Sequence, residues 1–301
     1  MKNTIIQGDA LQVLKTLKSE SIDCVVTSPP YWGLRNYGVD GQIGLETNFQ
    51  EYLDKLWKIF DEVYRILKLT GTCWVNLGDT YFTGINNNDR KKVDGAKKGI
   101  EPIKCKLPNK CLVQIPSRFA IGMVERGWIL RNEIIWHKPN AMPSSVKDRF
   151  TIDFEKIFFF VKQEKYYFKQ QFEPFSDTTF KRIKYAYNQC KGDIQGAVKS
   201  KGSQKFAENV NNGNLKGKNK RTTWFINTAS FKGSHFAVFP KDIPEICIKA
   251  GCPKNGIVLD PFMGSGTTAV VAKMLGRNYL GIELNSKYIE MANKRIYEVL
   301  V

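Results

Sequence analysis

The chain has 301 residues, 42% of them hydrophobic, with 46 Lys/Arg against 29 Asp/Glu and a pI near 9.5. Such a chain is one large domain, or one domain carrying an insertion, with ample material for a core. Its excess of +17 points to a polyanionic partner, nucleic acid ahead of an anionic membrane, and no run approaches the ~20 apolar residues of a membrane span.

The charge is clustered. Residues 165–225 carry 13 Lys/Arg against 4 Asp/Glu, and residues 80–118 carry 9 against 3. The seven cysteines (24, 73, 105, 111, 190, 247 and 252) form no Cys-x-x-Cys pair, and only His137 and His235 could assist them, which argues against a structural zinc site. Reduced thiols and an N-terminus without the apolar stretch of a secretion signal make a soluble, cytoplasmic protein the expectation.

In chain order, residues 3–7 read as a short strand closed by Gly8-Asp9, and residues 10–18 as a helix with Leu11, Leu14 and Leu17 on one side. The apolar run 22–26 is a buried strand. It ends in Thr27-Ser28-Pro29-Pro30-Tyr31-Trp32, where two prolines remove backbone donors and stiffen the chain. The result is a rigid rim rich in carbonyls beside two aromatics. By itself it suits either a grip on a flat ring bearing an amino group or a plain strand-end turn. A loop over 33–48 follows, then an amphipathic helix over 49–68 with Tyr52, Leu53, Leu56, Ile59, Phe60, Val63 and Leu67 on one face. Gly71 is expected to end that helix, and Thr72–Leu77 to form the next strand. Asp79, just beyond, suits either a pocket wall or the cap of a turn.

Residues 80–111 lack periodicity and read as a mobile loop. A helix is expected near 116–126, then strands in the runs Ile129–Trp136 and Ile157–Val161, the first leading into His137-Lys138-Pro139-Asn140. From 164 to 223 aromatics alternate with cations, as in Phe180-Lys181-Arg182-Ile183-Lys184-Tyr185, and 199–221 is mostly Lys, Ser, Gly and Asn with few apolar residues. This stretch reads as an insertion whose rings and cations suit bases and phosphates. It divides a domain made of 1–163 and 224–301.

Residues 256–283 form a compact unit: strand Gly256–Leu259, a loop Asp260-Pro261-Phe262-Met263-Gly264-Ser265-Gly266, helix Thr267–Leu275, and strand Asn278–Ile282 closed by Glu283. The glycines let backbone approach a ligand, and an acid at the tip of the second strand is where such units hold ribose hydroxyls. A dinucleotide loop would carry a third glycine where Ala269 stands.

Asp-Pro-Phe-x-Gly-x-Gly-Thr-Thr resembles the S-adenosylmethionine loop of amino-group DNA methyltransferases. With Ser-Pro-Pro-Tyr ahead of the insertion and the glycine loop last, the chain resembles the permuted beta class of those enzymes. The resemblance extends to Gly8-Asp9-Ala10, to Trp136-His137-Lys138-Pro139-Asn140 and to His235-Phe236-Ala237-Val238-Phe239-Pro240. It implies an α/β, Rossmann-like methyltransferase fold with an open, mostly parallel sheet and a target-recognition insertion. It further implies S-adenosylmethionine as cofactor, no metal, and double-stranded DNA as partner, with a cognate restriction endonuclease and a homodimer as further options.

The cofactor set implied is Asp9, Ala10, Phe239, Pro240, Asp260, Phe262, Gly264, Ser265, Gly266, Thr267, Thr268 and Glu283. Ser28, Pro29, Pro30 and Tyr31 would hold and stack the target base, with Ser28 Oγ and the Pro29 carbonyl accepting its amino hydrogens. Trp32, Asp79, Trp136, Lys138, Asn140, Lys181, Arg182 and Lys184 would line the base pocket or meet DNA. Serine in the first position is associated with cytosine N4, aspartate with adenine N6; cytosine N4 is the reading preferred and adenine N6 the alternative. RNA or protein-amide enzymes with a Pro-Pro-Tyr turn usually keep the cofactor loop first, the reverse of this order. A C5-cytosine enzyme would need a nucleophilic cysteine, and Cys24 lies inside a strand.

Overall fold

The computed structural model describes residues 1–82, 107–181, 205, 208–210, 212, 217–228 and 240–299. Met1–Lys169 with Thr222–Val301 forms one compact unit, and Gln170–Arg221 a second. The first unit is built on an eight-stranded sheet. Its strands are β1 (Thr4–Gln7), β2 (Ile22–Thr27), β3 (Leu67–Leu77), β4 (Ile129–His137), β5 (Phe154–Val161), β8 (Thr223–Phe225), β9 (Ile257–Asp260) and β10 (Asn278–Glu283). Their spatial order is β1-β10-β9-β2-β3-β5-β4-β8. Pairing is parallel from β1 to β3, antiparallel for β3–β5 and β5–β4, and parallel again for β4–β8.

A segment from late in the sequence thus sits at the centre of the sheet. β9 lies beside β2, with Cys24 opposite Val258 and Val25 opposite Leu259. From β9 the chain crosses to β10 on one side, and from β2 to β3 on the other. That reversal opens a crevice beyond the carboxyl ends of β2 and β9, the place where open α/β sheets take ligands.

Period-two alternation along the strands divides the core into two layers. Phe158 and Phe160 of β5, with Cys73, Val75 and Leu77 of β3, face the helices α1 (Ala10–Thr16), α2 (Phe49–Ile66) and α3 (Ile115–Glu125). Trp74 and Phe159 face the other way, stacked at 3.9 Å, into a layer with α4 (Asp242–Gly251) and α5 (Thr267–Met274). A last helix, α6 (Ser286–Tyr297), packs beside α5. α2 starts at Asn48, whose side chain accepts from Gln50 N, and buries Tyr52, Leu53, Leu56, Ile59, Phe60, Val63 and Ile66. Fully burying each such Leu, Ile or Phe is worth about 1.5–3 kcal/mol, more than the helix gains from its own propensities.

Three boundaries differ from expectation. Gly71 does not end α2; the helix stops at Ile66, and Gly71 lies within β3. The register jumps from Ile22 opposite Leu67 to Cys24 opposite Thr72, so extra residues of β3 bulge out before regular pairing resumes. The second unit also starts later and ends earlier than the expected 164–223. Tyr167 N and Lys169 N donate to Thr70 O and Ala250 O, Tyr166 and Phe168 pack on Phe159, and β8 pairs with β4. Aromatic side chains with a sheet to lie on are claimed by the first core. Within the second unit, β6 (Phe172–Glu173) pairs antiparallel with β7 (Lys218–Asn219), and Glu173 holds Arg221 at 2.5 Å and Lys218 at 3.3 Å. Among the described residues no helix is long and apolar enough to cross a membrane.

Gly251 closes α4 against β3, where Thr72 Oγ1 donates to its carbonyl at 2.9 Å. A Cβ there would stand 2.2 Å from Thr72 Oγ1 and 2.5 Å from Trp74 Nε1. Gly251→Ala is therefore expected to cost about 1–3 kcal/mol, read as a lowered urea midpoint at unchanged m-value.

Candidate active site

One cleft, about 290 Å³, opens at the crevice beyond β2 and β9. It is lined from both halves of the chain: Gly8, Asp9 and Ala10 after β1, Ser28 to Tyr31 after β2, Pro261 to Ser265 and Thr267 after β9, and Glu283 at the end of β10. Asn76, Trp136, Lys138 and Glu155 line it from β3, the end of β4, and β5.

The loop after β9 keeps its shape through two left-handed glycines. Gly264 has φ +51 and Gly266 φ +82, where a side chain would be strained. A Cβ on Gly266 would also stand 2.7 Å from Ala292 Cβ of α6. Glu283 Oε2 accepts from Gly264 N at 2.7 Å and Oε1 from Asn285 N at 2.8 Å. Burial pushes this carboxyl up from its ordinary range, against those backbone donors. Each carboxylate oxygen keeps a further lone pair able to accept a hydroxyl. Arg295 of α6 donates to Ser265 Oγ at 2.7 Å, and to Ser265 O and Thr267 Oγ1, pinning the loop from beneath.

Beneath the cleft the two halves are joined by one buried carboxylate. Asp260 is 1% exposed. Its Oδ1 accepts from Thr27 Oγ1 at 2.6 Å and Phe262 N at 3.0 Å, and its Oδ2 from Thr268 Oγ1 at 2.7 Å. Burial pushes its pKa up to about 6, while the Thr27 and Thr268 hydroxyls oppose that rise. Asp260 and Thr268 thus form the floor under the glycine loop and do not line the cleft.

On the opposite rim, Tyr52 Oη donates to Pro30 O at 2.8 Å and fixes the double-proline turn to α2. Tyr31 lies over Gly78, where a Cβ would stand 2.6 Å from the ring. Its hydroxyl donates to Glu155 Oε2 at 2.5 Å and lies 3.0 Å from Asn76 Oδ1. Ser28 Oγ donates to Asn76 Oδ1 at 3.3 Å, and Asn76 Nδ2 donates to Lys156 O at 3.2 Å, which turns the amide oxygen towards the two hydroxyls. Lys138 bridges to Glu155 Oε1 and sits 4.6 Å over the Trp136 ring. Burial, then the Glu155 carboxylate, hold the Tyr31 phenol well above its usual pKa, so it stays protonated.

Ser28, Pro29, Pro30, Tyr31, Asp9, Ala10, Phe262, Gly264, Ser265, Thr267, Glu283, Trp136 and Lys138 are therefore gathered at one cleft. Others are not. Trp32 is 2% exposed, its indole donating to Glu46 O at 2.9 Å and packed on Phe49, so it belongs to the core rather than to a base pocket. Asp79 caps a turn: its Oδ1 accepts from Thr80 N and Ile115 N at the start of α3. Asn140 clasps Thr228 through both its amide atoms. Pro240 is buried at the start of α4 and its carbonyl accepts from Ile243 N. Asp9 lines the cleft while capping α1 through Gln12 N at 3.0 Å. Lys181 is exposed on the second unit. Phe239, Arg182, Lys184 and His235 lie outside the described residues, as does most of 80–111. Cys24 is fully buried beside Thr72, with its thiol pushed up by burial, and does not reach the cleft.

Sequence reasoning overlooked Asn76, Glu155 and the pair Tyr37–Tyr288, which meets edge to face at 6.3 Å on the cleft wall. Asn76 carried a signal, as a polar residue inside the apolar run Thr72–Leu77; Glu155 did not, standing just before its strand's apolar core.

Residues 22–294 match the DNA methylase family of N6 and N4 methyltransferases. The chain belongs to that family. It is 42% identical over 297 residues to the type II methyltransferase M.Cfr9I of Citrobacter freundii, covering 97% of this chain and 87% of that one. It is also 42% identical to M.SmaI of Serratia marcescens, over 97% and 90% of the two chains. Among solved structures it is similar to the cytosine-N4-specific PvuII DNA methyltransferase (TM-score 0.64, 19% identity, all of this chain and 88% of that one). The M1.HpyAVI complex with S-adenosylmethionine is a further likeness (TM-score 0.55, 20% identity, 97% and 98%). The family match thus spans residues 22–294, and among the described residues the glycine loop follows the strand at the sheet's centre.

Because the Asp260 carboxyl ionises with more difficulty folded than unfolded, the stability tied to its neutral form is complete below its ordinary pKa of 3.8 and is lost as pH rises through about 6. Wild-type protein should therefore show a falling contribution between those values that Asp260→Asn lacks, read by comparing urea midpoints of the two proteins across pH 4 to 7. In the variant, the Thr268 hydroxyl can accept from the new amide and donate to Val26 O, which lies 3.3 Å away.

Proposed function

We propose that this DNA methylase transfers a methyl group from S-adenosylmethionine to the exocyclic N4 amino group of cytosine in double-stranded DNA, with the target base rotated out of the helix. The observation that carries this reading is the pairing of Ser28 and the Pro29–Pro30 turn with the glycine loop in one cleft. An exocyclic amino group is a poor nucleophile because its lone pair is delocalised into the ring. Acceptors must hold its two hydrogens so that the lone pair points at the methyl carbon. Ser28 Oγ gives its own proton to Asn76 Oδ1, which leaves its lone pairs to accept one amino hydrogen; the Pro29 carbonyl takes the other. Tyr31 stacks on the base, and Glu283 takes the ribose of the cofactor, whose methionine end meets the start of α5. The methyl passes in line from sulfur to nitrogen, with orientation and local field supplying the acceleration.

Support for cytosine over adenine comes from Ser28, a neutral acceptor where a carboxylate would suit adenine N6, and from the likeness to the cytosine-N4-specific PvuII enzyme. The cation-rich second unit is read as the element that recognises the DNA sequence. The similarity to type II methyltransferases supports a cognate restriction endonuclease as the physiological counterpart.

Expression in a host lacking DNA methylation, followed by nucleoside mass spectrometry, should yield N4-methylcytosine; N6-methyladenine in its place would overturn the choice of base. Ser28→Ala should bind S-adenosylmethionine as wild type does and lose about 10²-fold in single-turnover transfer; full activity would remove Ser28 from the mechanism.

A further inference from the structure

Methyl transfer to an amino nitrogen leaves a proton to be disposed of. The nitrogen forms a bond to carbon as the carbon–sulfur bond breaks, the sulfonium becomes a neutral thioether, and the nitrogen, now cationic, must release one hydrogen. The acceptors nearest the proposed amino position are poor sinks. An amide oxygen such as that of Asn76 is very weakly basic, and a serine hydroxyl or a peptide carbonyl can pass or share a proton but not keep it.

The network behind the double-proline turn leads to a group that can. The single proton of Ser28 Oγ has two acceptors in reach, Asn76 Oδ1 at 3.3 Å and Tyr31 Oη at 3.4 Å, and Tyr31 Oη donates to Glu155 Oε2 at 2.5 Å. When the serine proton turns from Asn76 to Tyr31, both hydroxyls point in one direction, from the cleft towards a carboxylate. The first contact is long, and catalytic hydrogen bonds of this kind tighten when substrate arrives. Lys138 donates to the other oxygen of Glu155, balancing its charge, and the Glu155 side chain keeps 15% of its surface open to solvent.

Resting on the reading of Ser28 as amino-group acceptor, we infer that Ser28, Tyr31 and Glu155 form a proton relay, with Glu155 as its terminus. The proton leaving nitrogen passes to Ser28 Oγ as the serine proton passes to Tyr31 Oη and the tyrosine proton to Glu155 Oε2. Both hydroxyls end neutral, the carboxylate becomes a carboxylic acid, and water reclaims the proton at its exposed side. No phenolate is formed, in keeping with a phenol that burial keeps protonated. The relay gives Glu155 a part in the reaction although it acts only through Tyr31, and gives the Tyr31 hydroxyl a part separate from its ring.

Two variants test it. Glu155→Gln keeps the size and one acceptor but cannot hold the proton; Tyr31→Phe keeps the ring and removes the relay atom. In single-turnover transfer with the full-length protein, each should fall by about 10²-fold, with S-adenosylmethionine binding unchanged and the solvent deuterium isotope effect of the wild type lost. The double variant should be no slower than the slower single one, since both break the same chain. A Glu155→Gln enzyme within threefold of wild type, losses that multiply in the double variant, or loss of cofactor binding in both variants would overturn the relay. The methylated nucleoside made by the wild type reports separately on the choice of base, because the relay would serve any exocyclic amino group.

Discussion

A single buried carboxylate joins segments more than 230 residues apart in sequence. Asp260 ends β9 and accepts from Thr27, the last residue of β2, and from Thr268 in the first turn of α5. Burying a carboxyl is costly unless its oxygens are hydrogen-bonded, and here both are. The bond to Thr27 fixes the height of the double-proline turn, while those to Phe262 N and Thr268 fix the glycine loop. Everything in the cleft is referred to this point. A shift of the kind that opens 1 Å between reacting atoms is enough to cost two orders of magnitude in rate, so a rigid joint at the switch point of the sheet matters more than any contact at the rim.

The chain order explains why such a joint is needed. With the glycine loop near the end of the sequence and the Pro-Pro-Tyr turn near the start, no short loop ties the two together. They become neighbours because β9 and β2 pair in parallel at the centre of the sheet. The same centre is fully buried, with Cys24, Val25, Val258 and Leu259 at 0% exposure. The cleft therefore stands on buried strand backbone, and Tyr37 and Tyr288 meet edge to face on its wall.

Much of this was legible in the residues. The strand–glycine loop–helix–strand unit at 256–283, the stiff turn at 27–32 and the amphipathic face of α2 each carry local patterns that tertiary packing did not override. What was not legible depends on where side chains point after folding. Trp32 follows a motif residue and is drawn into the core because its ring has Phe49 to pack on and its N–H finds Glu46 O. Asp79 caps α3 because backbone donors lie within reach. Glu155 is one acid at the mouth of an apolar strand, and only the antiparallel pairing of β5 between β3 and β4 brings it to Tyr31 and Lys138. Gly71 looked like a helix stop because a bulge in β3 cannot be told from a helix C-cap by composition.

The account depends on one geometric claim: that the turn after β2 and the loop after β9 hold the two reactants of a single transfer. The most direct measurement is a crystal structure with the cofactor analogue sinefungin and a duplex carrying the chain's own methylation site. The account predicts an extruded cytosine with its amino group between Ser28 Oγ and the Pro29 carbonyl, and the analogue's reactive end facing that nitrogen from above Gly264 to Thr267. A base left stacked in the duplex with the cleft fully formed, or an amino group turned away from Ser28, would contradict it.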